Sequence, residues 1–262
     1  MKLKLYGKEP FIIAVVHGGP GAPGSVAPVA KELSHYFGVL EPLQTKTTVN
    51  GQVDELFNEL SVYASFPITI IGHSWGAWLS VIFTNKYPDS INKLILVGSG
   101  PFEEKYVDDL DNTRKKRLTK KESEEYVSVL KRLNDPNIAV KDKLIARLGQ
   151  LVAKTDNYCL AESAIEFMDE NSADVGTYQS VWAEAAAMRK SGELLAISSK
   201  IKCPVVAIHG DYDPHPLEGV KIPLAENLKD FRIVVLNKCG HSPWNEKYAK
   251  AEFFEILKNE LK

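Results

Sequence analysis

The sequence predicts an α/β protein: a mostly parallel sheet with helices on both faces, interrupted by a block of helices. Three observations carry the prediction. Short continuous apolar runs recur, as strands buried on both faces require. Between them, apolar residues fall at the spacing of amphipathic helices. From about 101 to 200 the strand-like runs stop, and the text turns charged and helical.

The elements follow in order. "MKLKLYGKEP" leaves room for one short strand at most, and "PFIIAVVHG" (10–18) reads as a buried strand. Its apolar run is too brief for a signal segment. Val26, Val29, Ala30, Leu33 and Phe37 mark a helix, and "FGVLEPLQT" returns to an extended pattern. "VDELFNELSVYA" (53–64) places Leu56, Phe57, Leu60 and Tyr63 on one helical face. "PITIIGH" (67–73) is the next strand, "SWGAWLSVIFTNKYP" a helix and "INKLILVGSG" (91–100) a further strand. In the charged block, Tyr126, Val129, Leu130 and Leu133 form one stripe; Leu144, Ile145, Leu148, Leu151 and Val152 form another. Strands resume at "CPVVAIHGDYD" (203–213) and "FRIVVLNKCGH" (231–241), around a helix near 217–229. A last helix from about Asn245 has Ala251, Phe254, Leu257 and Leu261 as its apolar face. Repeated strand–helix–strand units imply the parallel sheet. The expected organisation is a core of 1–100 and 201–262, with a helical cap, 101–200, inserted after the strand at 91–98.

Composition narrows the function. A net charge of −2 over 262 residues asks for neither nucleic acid nor a membrane surface as partner. The basic run "RKKRLTKK" (114–121) lies between "EEKYVDDLD" and "ESEE", so a solvated surface is expected there. Three cysteines without a CxxC pair fit a reducing cytoplasm. No 18-residue apolar segment predicts a membrane span. No HExxH, Cys/His cluster or Walker-type loop calls for a metal or a nucleotide cofactor. The expected partner is a small-molecule substrate, and nothing indicates an oligomeric state.

Gly72-His73-Ser74-Trp75-Gly76 is a G-x-S-x-G pattern with a strand before it and a helix after it. A serine at that junction sits on a strained turn, its hydroxyl pushed out above the sheet. The plainer alternative is a helix-capping serine. A serine hydroxyl is a poor nucleophile near neutral pH and needs a base and an orienting acid. Functional groups of open parallel sheets gather at the carboxyl ends of strands. There His241, in "NKCGHSPW", is the candidate base and Asp213, in "IHGDYDP", the candidate acid. His215, in "DYDPHP", is a rival base, and Asp211 a rival acid whose alternative role is to stabilise a turn. His73 is expected to support the elbow, His209 to sit in the core or at its rim, and His35 on a helix surface. The Gly-rich "VVHGGPG" (15–21) turns backbone amides towards a ligand. The amides of Gly19 and Trp75 are the candidate oxyanion donors, and His17 and Gly18 are candidates for substrate contact. A plain Gly/Pro turn is the alternative.

With these residues in place, the chain resembles the serine hydrolases of the α/β-hydrolase fold. "HGGPG", "GHSWG", "HGDYD" and "CGHSPW" fall in that family's order. HGGPG together with G-x-S-W-G is also similar to the proline iminopeptidases, whose substrates carry an N-terminal proline. In those enzymes acidic residues of the cap hold the free amine. Here Ala77 stands where they carry a second Gly, and "LVGSGPF" (96–102) where they carry Arg-Gly. The acids that the insertion offers are Glu162, Glu166, Asp169, Glu170 and Glu184. The resemblance implies a hydrolase of the esterase or amidase type. Phe167, Trp182 and Met188 are candidates to line its pocket, with the core of the cap as their alternative place. An aminopeptidase specific for N-terminal proline, and a binding protein on the same fold, are the other readings.

Overall fold

A computed structural model describes residues 3–20, 23–135, 137–138, 141–165 and 175–262. The chain runs β1 (Leu3–Tyr6), β2 (Phe11–Val16), α1 (Ala27–Leu33), β3 (Gly38–Pro42), α2 (Val49–Tyr63), β4 (Ala64–His73), α3 (Trp75–Lys86) and β5 (Ile91–Val97). Among the described residues six helices follow: α4 (Val107–Arg117), α5 (Lys120–Leu133), α6 (Asp142–Asp156), α7 (Glu162–Ile165), α8 (Val175–Lys190) and α9 (Glu193–Ser198). Then come β6 (Val205–Gly210), α10 (Glu218–Asn227), β7 (Phe231–Leu236) and α11 (Lys250–Glu260). The seven strands form one sheet in the order β1-β3-β2-β4-β5-β6-β7. Only the edge strand β1 runs antiparallel to its neighbour.

Alternate residues of the central strands serve opposite faces. Ala14, Val16, Ile70, Leu94, Leu96 and Ala207 join Leu56, Leu60, Trp78 and Phe83 of α2 and α3 in one core. Ile13, Val15, Ile71, Ile95, Val97 and Ile208 join Val29, Leu33, Phe253 and Leu257 of α1 and α11 in the other. Both faces being covered explains the continuous apolar runs in the sequence. Leu118, Tyr126, Val129, Leu133, Leu144, Leu148 and Leu151 make a third, smaller core where α5 packs on α6.

The register brings the carboxyl ends of the strands into line. Val16 pairs with Gly72, His73 with Val97, Val97 with Ile208 and Gly210 with Leu236. Whatever follows those residues leaves the sheet along one edge.

Several boundaries differ from the sequence pattern, three of them for an identifiable local reason. Helix α2 begins at Val49 rather than 53, because Thr48 caps it: its Oγ1 accepts the Gly51 N–H at 3.1 Å. That polar first turn carries no apolar periodicity. Strand β7 ends at Leu236, and Lys238 takes a left-handed φ of 53°, which no ladder accommodates. The last helix starts at Lys250, after a single 3-10 turn at Pro243–Asn245. Among the described residues, no helix is long and apolar enough to cross a membrane.

Two glycines test the packing in opposite directions. A Cβ at Gly210 would lie 2.2 Å from the Cys239 carbonyl oxygen, whereas one at Gly149, inside α6, would meet nothing within 4 Å. Gly210→Ala is expected to lower the urea midpoint by the equivalent of about 1–3 kcal/mol. Gly149→Ala is expected to raise it by roughly 0.5–1 kcal/mol, the helix propensity difference.

Candidate active site

Ser74 joins β4 to α3 at φ 54° and ψ −117°, a conformation that costs a non-glycine residue about 1–3 kcal/mol. Its amide donates to the Val97 carbonyl at 3.0 Å. The glycines on either side are a steric necessity. A Cβ at Gly72 would come within 2.3 Å of the Gly76 carbonyl oxygen, and one at Gly76 within 2.4 Å of the Val16 oxygen. Ser74 is half-buried, while Trp75 beside it is buried and donates its indole N–H to Gln52 Oε1 at 3.0 Å. As the first residue of α3, Trp75 has no intrahelical acceptor for its backbone N–H.

The loop after β2 lies against this turn. A Cβ at Gly18 would sit 3.0 Å from Ser74 Cβ and 2.7 Å from His73 Nδ1, so only glycine allows the approach. Gly19 follows with φ 56°. His17 is fully buried, and both of its ring nitrogens are engaged. Nδ1–H donates to the Gly18 carbonyl at 2.8 Å and Nε2 accepts the Gln44 N–H at 3.3 Å. Burial lowers its pKa, and with both nitrogens bonded within the protein His17 shapes the loop after β2.

At the far ends of β6 and β7, Asp213 Oδ2 accepts from His241 Nδ1 at 2.8 Å. The pair lies beside the end of β5 and against His73. A Cβ at Gly98, one residue after the acceptor of the Ser74 amide, would lie 2.6 Å from the His241 oxygen and 3.4 Å from Asp213 Oδ2. His73 donates its Nε2–H to that same His241 oxygen at 3.1 Å and packs edge-on against Trp244. Asp211, the rival acid, instead accepts the Cys239 N–H at 3.1 Å and fixes the turn. Asp213 Oδ1 accepts both the backbone N–H of His215, at 2.9 Å, and its Nδ1–H, at 2.7 Å. His35 is exposed.

Charge follows from these contacts. Burial works against the Asp213 carboxylate, yet His241, His215 and His209 around it hold its pKa well below the usual value. Burial also opposes a proton on His241, but the Asp213 charge and hydrogen bond outweigh it and raise the imidazole above its ordinary value. His73 is held well below that value, first by burial and then by His241. Asp213, His215 and His241 present ligand-type atoms within 4.8 Å of one another. Both imidazole Nδ1–H groups donate to the carboxylate, which leaves each ring only its Nε2 lone pair as a possible ligand.

The block between β5 and β6 is bonded to the loop that carries His241. The His241 N–H donates to the Asp156 carbonyl at 2.7 Å, and Ala161 and Lys247 bond to Asn245 and Cys159 at 2.8 Å each. The fully buried Glu246 carboxylate accepts the N–H of Gly240 at 2.8 Å and those of Tyr158 and Cys159 at 2.7 Å each. Asp156 is itself gripped by Arg114, whose Nε–H donates to Oδ1 at 3.0 Å and whose Nη2–H donates to Oδ2. Arg117 donates to the Thr155 and Tyr212 carbonyls at 2.8 Å each and lies over the Tyr212 ring. The basic run is therefore not merely a solvated surface, because two of its arginines tie the insertion to the site's edge. Nothing in the sequence marks Glu246 or Arg114 for these roles beyond the i, i+3 spacing of the two arginines.

Trp182 stacks on Trp78, with ring centres 5.7 Å apart, and both it and Met188 pack against the larger core. Glu184 accepts the Val49 N–H at 2.7 Å, and Glu162 is exposed. Phe167, Glu166, Asp169 and Glu170 lie outside the described residues.

A parallel sheet with a serine elbow after its fourth strand defines a class, and comparison with known proteins agrees. The chain belongs to the α/β-hydrolase fold family, whose profile matches residues 66–247. It is similar to a proline iminopeptidase of Saccharolobus solfataricus, at 22% identity over 94% of this chain and 83% of that protein. Among solved structures it is similar to VinJ, with a TM-score of 0.72 and 16% identity over 99% of this chain and 93% of the other. An esterase from Exiguobacterium antarcticum superposes with a TM-score of 0.69 at 14% identity, over 99% and 94% of the two chains. At such identities the structures share the fold.

The Glu246 clip makes a specific prediction. Glu246→Gln turns an amide N–H towards donors of its own kind, an expected loss of about 1–3 kcal/mol. Hydrogen exchange should accelerate together at the amides of Tyr158, Cys159 and Gly240. Unchanged protection at all three would refute the clip.

Proposed function

We propose that the protein is a serine hydrolase that cleaves a small ester, thioester or amide through an acyl-enzyme. One observation carries the reading: the Asp213–His241 hydrogen bond of 2.8 Å, with the His241 ring 4.7 Å from that of His73, the residue before a serine held at positive φ. Ser74 Oγ attacks the substrate carbonyl while His241 Nε2 takes its proton. The amides of Gly19 and Trp75 receive the developing oxyanion. His241 then returns the proton to the leaving group. Water, deprotonated by the same imidazole, attacks the acyl carbonyl and releases Ser74. Asp213 keeps the imidazole in the Nδ1–H tautomer and balances its charge.

In this reading residues 1–100 and 201–262 are the catalytic core, and 101–200 a cap that closes over the site and shapes the pocket. The three free cysteines fit a cytoplasmic enzyme. The names of the similar proteins, an esterase and a proline iminopeptidase, bracket the substrate class. Of the acids in the insertion, Glu184 is engaged by the Val49 amide.

A fluorophosphonate probe should label the wild type and not Ser74→Ala, whose turnover of p-nitrophenyl esters should fall by at least about 10³-fold. Wild type that resists the probe would falsify the proposal. Prolyl-aminocoumarin cleaved much faster than any ester would move the substrate class to peptides. Because His241 acts as a base only when neutral and its pKa is raised, kcat/KM should fall with decreasing pH through a midpoint above 6.5, the ordinary imidazole value. A limb below that value would contradict the assigned base.

A further inference from the structure

A catalytic carboxylate of this kind needs one partner, the base. Asp213 has two imidazoles bonded to it, with a third, His209, 3.9 Å from Oδ2. We infer that His215 is a positioning residue: it clamps one oxygen of Asp213 so that the other stays aimed at His241, and it lies flat against the His241 ring. The inference rests on the serine hydrolase reading above and deepens it.

The geometry is specific. Asp213 Oδ1 takes two donors from His215, the backbone N–H at 2.9 Å and Nδ1–H at 2.7 Å. Oδ2 is left to His241 Nδ1–H at 2.8 Å. Two donors on one oxygen resist rotation of the carboxylate, which a single partner would allow. The His215 and His241 rings are stacked, with centres 4.3 Å apart and planes inclined by 23°. His209 completes the support by donating its Nε2–H to the His215 carbonyl at 2.8 Å. The chain from β6 to the base is thus His209 to His215 to Asp213 to His241.

A carboxylate only accepts, so both imidazoles bonded to Asp213 carry their proton on Nδ1. The stacked pair works only if His215 remains neutral while His241 becomes an imidazolium, since two cations at that spacing repel. Burial, against the pull of Asp213, lowers the His215 pKa to about 4. The other ionisable groups facing the pair are His209, His73, Arg114 and Asp156, the last two being bonded to each other. Removing the clamp leaves the full Asp213 charge on His241, which should raise its pKa.

The test compares His215→Ala with His215→Asn, whose amide N–H stands near the lost Nδ1–H. Rates on a p-nitrophenyl ester are normalised to sites titrated by the fluorophosphonate, so that misfolded protein does not count. His215→Ala should lose about tenfold or more in kcat, with KM within about threefold, and its acid limb should move to higher pH. His215→Asn should restore kcat to within about threefold of wild type and return the limb. Wild-type kcat and pH profile in His215→Ala, or an Asn variant as impaired as the Ala variant, would overturn the role. Imidazole NMR of His241, in the Ser74→Ala background, reads the same pKa rise without turnover. A clamp that fails is thereby separated from a hydrolase reading that fails, because the latter shows as wild type that does not label.

Discussion

Burying a carboxylate is costly unless its lone pairs find donors, and a partly satisfied one is worse than none. Asp213 meets that demand with three N–H donors from two residues. Much of the site's edge can be understood as consequences of this requirement. The Pro214-His215 turn exists where it can fold back onto Oδ1, and the loop after β7 must return far enough to bring His241 to Oδ2. Gly98 must lack a side chain, because its Cβ would meet both members of the pair. The three strand ends β5, β6 and β7 are thereby bound into one rigid corner, facing the elbow at the end of β4.

The insertion is built into that corner rather than resting on it. Its 156–161 segment supplies the acceptor for the His241 amide and two of the three amides that satisfy Glu246. Arg114 adds a charged bidentate grip on Asp156, of the kind that fixes orientation as well as contributing energy. The backbone of the candidate base is therefore held from both sides of the chain's long excursion away from the sheet.

The fold was readable because two-sided burial writes itself into sequence as unbroken apolar runs. "PITIIGH" and "CPVVAIHG" could hardly be anything else. The α/β-hydrolase fold was legible for the same reason, joined to the glycine spacing around Ser74, which close backbone contacts demand. Boundaries were less legible where a local device overrides periodicity: the Thr48 cap, the left-handed Lys238, the Pro243 turn. Among the candidates, Ser74, Asp213 and His241 could be singled out by their place after β4, β6 and β7. The supporting residues could not. Glu246 bonds to residues 87 and 88 positions away, and Arg114 to one 42 positions away, distances at which no local pattern exists. His17 looked available because it adjoins the glycines, yet tertiary packing engages both of its nitrogens.

Exchanging the insertion of one α/β-hydrolase for that of another is a natural route to new selectivity. In this protein the block between β5 and β6 is not a detachable module, because the stretch from Asp156 to Ala161 doubles as scaffolding for the His241 loop. A chimaera would need to keep that stretch together with Glu246 and graft only the helices that flank it. The same sharing limits how variants of this chain can diversify: helices away from the seam are free to drift, while the seam itself changes only in concert with the sheet.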